Sequence, residues 1–327
     1  MYGLRISINS ENGKINSFLR STCFPCFDTV RNPARPDFII NIILSDEANN
    51  NLVSVRGESI KQSDIWKYHS LGEGVDKFSY DGQMVSYIQS GRSFNYWDKK
   101  LGYCLWEGKN FDVSAFKYAV YTMMFDFLSK KGYAFFHGGG MVYKDKGFLL
   151  IGPSGAGKST LSFRLLDYGF DCLGDDAVAV KRNNTSFDMH HFLRFISLKK
   201  NEARLQAKCC ILLKRKRVVL RKPDKYCFRI EDLCKTAPIK KARVRYCFFL
   251  QPAIDARIVK KLSYKKIEIL LGNSMRDMFF GAEHTEKTRF SQEFAKGLCG
   301  SIEGFELYPR GKDINHVSAA IKDIVSA

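Results

Sequence analysis

The sequence predicts an α/β fold in which a strand-rich region, residues 1–110, precedes a larger mixed domain, residues 111–327. Three observations predict it. Short alternating or apolar segments separated by Gly, Asp and Pro fill the first third of the chain. An apolar strand, a glycine-rich turn and a helical pattern follow one another between Gly147 and Gly169. Two further strand patterns then flank Gly174-Asp175-Asp176.

In the first region Leu4-Arg5-Ile6-Ser7-Ile8 alternates as a half-buried strand does. Pro33 and Pro36 punctuate a loop before a second strand from Phe38 to Leu44. Val53–Val55, Val85–Ile88 and Tyr103–Trp106 are further short candidates. The region shows no catalytic cluster, so positioning a substrate or joining copies of the chain is the role expected of it. From Phe111 to Lys131 the pattern turns helical. Phe116, Val120, Met123, Met124 and Phe127 form one apolar stripe, read as core packing, and Gly132 ends it.

Ala134-Phe135-Phe136-His137-Gly138 is a short apolar strand ending in a polar residue, and a hairpin turn over 143–147 leads into the next strand. That strand closes on Phe148-Leu149-Leu150-Ile151, apolar at every position, as a strand buried on both faces must be. Gly152-Pro153-Ser154-Gly155-Ala156-Gly157-Lys158-Ser159 follows, with Thr160 next, and satisfies the phosphate-loop pattern G-x-x-x-x-G-K-[ST]. Backbone N–H groups of such a turn can point at phosphate oxygens, and the helix opening at Lys158 adds a favourable field for an anion. Leu161, Leu165 and Leu166 share one side of that helix, and Gly169 stops it.

Phe170–Leu173 and Ala177–Val180 read as strands around the pair Asp175-Asp176. Near a phosphate loop, one carboxylate can orient or deprotonate a hydroxyl and the other can hold Mg²⁺. Their mutual repulsion pushes their proton affinities apart. An acidic turn between strands is the plainer reading; nearness to the loop favours function. His137, at a strand end before the loop, reads equally as structural or as a supporting group of the same site.

Residues 181–184 read as a polar turn. His190 and His191 are an incomplete metal constellation. Within Leu193-Arg194-Phe195-Ile196-Ser197-Leu198-Lys199-Lys200-Asn201-Glu202, Arg194 and Lys199 are candidates to neutralise a phosphate or acidic substrate, and Glu202 a candidate magnesium group. Residues 211–220 place Lys214-Arg215-Lys216-Arg217 in an apolar frame, read as a basic-faced loop or edge strand. Arg243–Leu250 is a strong strand, Ser263–Leu271 fits strand or helix, and Met275–Phe280 begins a region expected to include helix. Ile302–Tyr308 and Asp313–Val325 read as a last strand and a last helix.

Composition bounds the function. The chain carries 52 Lys+Arg against 34 Asp+Glu, a formal charge of +18, so its partners are anionic: nucleotide phosphate, an acidic peptide, nucleic acid or an anionic surface. Cys23-Phe24-Pro25-Cys26 has no second pair, and the ten cysteines suggest no disulfide framework. No run is long enough to span a bilayer, and no secretory signal opens the sequence; membrane insertion is not expected and a reduced cytoplasmic setting is.

The segments FFHGG, GFLLIGPSGAGKSTLSFRLLDYGF, LGDDAVAV and LRFISLKKNE together resemble the catalytic core of the bacterial HPr kinase/phosphorylases and their related kinases. The resemblance covers residues 134–202. It implies a mixed-sheet core similar to phosphoenolpyruvate carboxykinase, ATP and Mg²⁺ as ligands, and self-association. It also implies roles: Lys158 on the nucleotide phosphates, Ser159 on Mg²⁺, Asp175 as general base, Asp176 and the more distal Glu202 on the metal, and His137 assisting. Two departures stand out. Thr160 occupies the position where the sugar-uptake regulators carry glutamate, as it does in related kinases, and the signature of the reverse, phosphorylase reaction is absent. Related kinases include enzymes that phosphorylate serine in ribosomally made precursor peptides.

The expected activity is ATP-dependent phosphoryl transfer to a hydroxyl, serine of an acidic peptide or protein first among them. The rival readings are a nucleotide triphosphatase and a nucleotide-regulated protein that binds nucleic acid or an anionic surface. No recognised RNA-binding module supports the last.

Overall fold

The computed structural model describes backbone alone in the strand residues of 6–107, and then residues 128–129, 131–184, 186–192, 195–215, 217–218, 220–221, 224–234, 239–278 and 285–327, without side chains at 220–221, 276–278 and 285–289. The chain divides into two compact units, Met1–Lys131 and Gly132–Ala327. The helical stripe expected over 111–127 and the Cys23/Cys26 pair lie outside the described residues.

The first unit holds β1 (Ile6–Ser10), β2 (Phe38–Ser45), β3 (Leu52–Val55), β4 (Glu58–Lys61), β5 (Trp66–Ser70), β6 (Val75–Tyr80), β7 (Gln83–Ile88), β8 (Ser93–Asp98) and β9 (Leu101–Glu107). Seven of them form one sheet in the order β1-β2-β9-β8-β7-β6-β5, and β3 and β4 pair separately. β1, β2 and β9 run parallel, while β5 to β9 form an antiparallel meander. Each strand read from the sequence lies on one of these.

The second unit begins with β10 (Tyr133–Phe136), β11 (Gly138–Tyr143) and β12 (Lys146–Ile151), then α1 (Lys158–Leu165), which a 3-10 turn continues to Tyr168. β13 (Asp171–Gly174), β14 (Val178–Asn183), β15 (Ser186–His190) and β16 (Phe195–Lys199) follow, then α2 (Lys200–Arg204) and α3 (Ala207–Lys214). Next come β17 (Leu220–Arg221), β18 (Lys225–Arg229), α4 (Ile230–Leu233), β19 (Lys241–Leu250) and β20 (Val259–Lys261). α5 (Tyr264–Met278), α6 (Thr285–Cys299), β21 (Glu303–Leu307) and α7 (Ile314–Ser326) complete it. Asp313 caps α7 by accepting the Asn315 N–H at 3.0 Å.

The main sheet is mixed, in the order β10-β14-β15-β19-β12-β11-β13, with β21 on β19 and β20 on β21. β12, β19 and β21 run parallel. β10 and β11 are separated by His137 alone, yet stand near opposite ends of this order, so the sheet curls to bring its ends together. The smaller sheet has the order β16-β18-β17. The result is an α/β fold built on a curled mixed sheet with flanking helices.

β12 is buried on both faces, as its unbroken apolar run requires. Phe148 and Leu150 pack with Leu161 and Leu165 of α1, Val317 and Ile321 of α7, and Ile196 and Phe228 of the smaller sheet. Leu149 and Ile151 point the other way, into a core shared with Val178, Val180, Leu271, Met275, Phe294 and Leu298. At about 1.5–3 kcal/mol for each large apolar side chain buried, this strand is the best-anchored support in the unit for whatever follows it. Beside it, an added Cβ at Gly138 would stand 2.3 Å from the Leu150 carbonyl oxygen. Gly138→Ala is therefore expected to destabilise the protein by ~3 kcal/mol, because backbone rather than a flexible side chain must give way. A urea midpoint equal to that of the native chain would contradict this.

Two local readings change and two are settled. Residues 211–214 are the last turn of α3, not loop or edge strand, because Cys209 and Leu212 face the core at helical spacing. Ser263–Leu271 resolves as helix: Ile267, Leu271 and Met275 are buried one turn apart in α5. The region from Met275 onward includes helix, the last turn of α5 to Met278 and then α6. Residues 181–183 continue β14, and Asn184 makes the turn into β15.

None of the seven cysteines whose side chains are described forms a disulfide. Among the described residues, no helix is long and apolar enough to cross a membrane.

Candidate functional site

The loop from Gly152 to Gly157 leaves the buried end of β12 and enters α1. Gly155 and Gly157 have φ of 78° and 91°, a conformation costly for other residues and suited to turning backbone N–H groups inward. Gly157 is the N-cap of α1, and its carbonyl accepts the Leu161 N–H at 2.8 Å. Lys158 is buried. Its Nζ donates to the carbonyls of Gly152 at 2.7 Å and Pro153 at 3.1 Å. The ammonium thus lies across the loop, held by acceptors that a phosphate oxygen can replace.

Asp175 follows β13 and is 1% exposed. Its Oδ2 accepts the Ser197 backbone N–H at 3.2 Å, while Oδ1 is buried with no hydrogen-bond partner among the described residues. Burial pushes its pKa up to about 6, and the charge of Asp176 adds to the rise. The nearby Ser159 hydroxyl and the N–H groups of Ser197 and Asp176 oppose it. A desolvated carboxylate with one open oxygen is what a proton acceptor near neutral pH requires.

Asp176 is exposed, with φ of 71°, an uncommon conformation for a residue that carries a Cβ. That backbone turn separates the pair: one carboxylate goes inward and its neighbour outward. Asp176 Oδ1 lies 3.6 Å from His137 Nε2. His137 is fixed where β10 becomes β11, its N–H donating to the Ser274 carbonyl at 3.4 Å and its own carbonyl accepting from Ser274 Oγ at 3.4 Å. On the other side of the loop, Thr160 Oγ1 donates to Glu202 Oε2 at 3.0 Å. The fold therefore joins Ser159 with Asp175, Asp176 with His137, and Thr160 with Glu202.

The oxygen set fits a magnesium ion shared with a substrate. Mg²⁺ takes one or two carboxylates plus substrate phosphates and water rather than an all-protein cage. The exposed carboxylate of Asp176 and the Ser159 hydroxyl are oxygen donors of that kind, which leaves the open Oδ1 of Asp175 for a proton. A cluster of three His, Cys, Asp or Glu side chains able to hold a metal unaided is absent among the described residues.

No protein-family model matches the chain, and no curated protein does. Among solved structures, it is similar to the HPr(Ser) kinase/phosphatase from Coxiella burnetii, with 12% identity and a TM-score of 0.33 over 58% of this chain and 89% of that one. At this distance the likeness assigns no role to any residue.

Two groups, Arg194 and Lys199, are expected to meet the substrate. Arg194 lies outside the described residues. Lys199 is exposed at the end of β16, just before α2. His190 and His191 diverge: His190 packs its ring edge-on to Tyr133 and burial pushes its pKa down to about 4, while His191 Nδ1 lies 3.0 Å from the Lys240 carbonyl oxygen. Sequence reasoning missed Ser197 and Ser274. Ser197 carried a signal, a hydroxyl in the otherwise apolar Phe195–Leu198. Ser274 carried one too, a hydroxyl on the helix face that Ile267 and Leu271 bury, where it is itself buried.

Proposed function

We propose that this chain is an ATP-dependent, Mg²⁺-requiring phosphotransferase whose acceptor is a hydroxyl, serine of a peptide or protein. One observation supports it above all: the buried carboxylate of Asp175, with Oδ1 open and its pKa raised to about 6, stands beside Ser159 of the phosphate loop.

The loop N–H groups and the start of α1 hold the triphosphate. Lys158 exchanges the Gly152 and Pro153 carbonyls for phosphate oxygens and neutralises charge that moves onto the leaving diphosphate. Asp175 accepts the acceptor's O–H proton as the new O–P bond forms and the bond to the leaving oxygen breaks. Ser159 and Asp176, with help from Glu202, would hold Mg²⁺, which when bound would supply neutralisation of phosphate charge. The Ser197 N–H fixes the orientation of Asp175, and Thr160 fixes Glu202.

The test is incubation of the full chain with γ-labelled ATP, Mg²⁺ and hydroxyl-bearing acidic peptides, followed by mass spectrometry. A phosphorylated peptide is expected. Release of inorganic phosphate with no labelled product would make the chain a triphosphatase instead. Thr160→Val should raise the Mg²⁺ concentration giving half-maximal turnover about tenfold, by releasing Glu202. An unchanged Mg²⁺ titration would remove Glu202 from the metal's surroundings.

A further inference from the structure

At the opposite end of β12 from the phosphate loop lies a second recess of about 650 Å³, lined by Asp145, Lys146, Arg243, Arg245, Ser301 and Glu303 among others. It sits where the sheet forks. β19 pairs with β15 through Lys241–Arg243 and with β21 from Tyr246 onward, so Val244 and Arg245 have no ladder partner on that edge. On the other edge the pairing with β12 slips, from Gly147 opposite Val244 to Phe148 opposite Tyr246, which makes Arg245 the extra residue of a bulge. Such a bulge re-aims its side chain, here into the recess.

Its charges are uncompensated. The side chains of Lys146, Arg243 and Arg245 form no hydrogen bond or ion pair among the described residues. Of the two acids, Glu303 is already paired with Lys261 at 2.6 Å. Three open cations on neighbouring strands, beside a stretch of strand edge without a partner, call for a ligand with both anionic side chains and a main chain to hydrogen-bond. Extended peptides supply both, side chains for specificity and backbone for affinity. We propose that this recess docks an extended peptide segment carrying acidic side chains. β12 spans six residues between recess and loop, about 20 Å, so the segment would be held well away from the phosphate loop. The inference does not rest on the phosphoryl-transfer reading.

Fluorescence anisotropy of the full chain with a labelled peptide of alternating Glu and Val, which lacks hydroxyls and cannot be phosphorylated, tests it. The pair Arg243→Ala/Arg245→Ala should weaken binding at least tenfold. The pair Lys214→Ala/Lys265→Ala removes the same charge from exposed positions elsewhere and should leave binding within twofold. Asp145→Asn, which removes a rim charge without touching a strand, should tighten binding about threefold and serves if the arginine pair fails to fold. Equal binding by native and arginine-pair protein would overturn the proposal, as would equal losses in the two pairs or an unmoved Asp145→Asn. Displacement of the peptide by free glutamate at matched carboxylate concentration would mark a small-anion site and overturn it too.

Discussion

Asp175→Asn is expected to slow phosphoryl transfer at least ~100-fold while making the protein more stable at pH 7. The two effects have one cause. Asparagine keeps the shape, and its side-chain oxygen can still accept the Ser197 N–H, but it cannot take a proton. The folded carboxyl has a pKa of about 6 against an ordinary 3.8, because it is buried. Raised in the folded state, it contributes stability that is fully present below pH ~4 and is lost as pH rises through about 6. At pH 7 the ionised group therefore costs the fold up to ~3 kcal/mol, which the amide removes. Melting scans should show the variant ahead at pH 7 and level with the native chain near pH 4. Transfer by the native chain should fall about tenfold per pH unit below 6. A variant that keeps its turnover, or gains nothing in melting temperature at pH 7, would remove Asp175 from this role.

Lys158→Ala is expected to lower kcat/KM for ATP by ~100-fold or more, with little change in stability. The ammonium donates to the Gly152 and Pro153 carbonyls at the half-exposed mouth of the loop, acceptors that water can satisfy in its place, so the fold loses little with it. The reaction loses a cation placed to follow charge onto the leaving phosphate. Lys158→Arg should restore little, because a planar guanidinium does not fit where a compact ammonium reaches across a tight turn. Calorimetric nucleotide titrations beside transfer assays separate weaker binding from slower chemistry. Undiminished kcat/KM in Lys158→Ala would contradict the assignment.

How much of this was legible depended on whether the signal was local. The strand, turn and helix around residues 147–169 were readable because an apolar run, five glycines and a helical stripe lie within two dozen residues. β5, β6 and β8 were missed: the charges and hydroxyls of Trp66–Ser70 masked its period of two, while the adjacent Asp76-Lys77 and the adjacent Tyr96-Trp97 interrupt it in Val75–Tyr80 and Ser93–Asp98. The helical character of Ala207–Lys214 was hidden by the dense basic run that follows it. At the site, candidate partners of the phosphate loop could be chosen by chemistry, but the pairings Thr160–Glu202 and His137–Asp176 span 42 and 39 positions and depend on how the sheet curls. The opposite orientations of Asp175 and Asp176 come from one positive φ that no composition announces.

The most direct measurement is a crystal structure of the full chain with Mg²⁺, a non-hydrolysable ATP analogue and an acceptor peptide. The account predicts Asp175 Oδ1 within about 3 Å of the acceptor hydroxyl, with that hydroxyl in line with the terminal phosphorus. A terminal phosphate turned away from residue 175, with the carboxylate still enclosed against Ser197 and no room for a hydroxyl beside it, would contradict it.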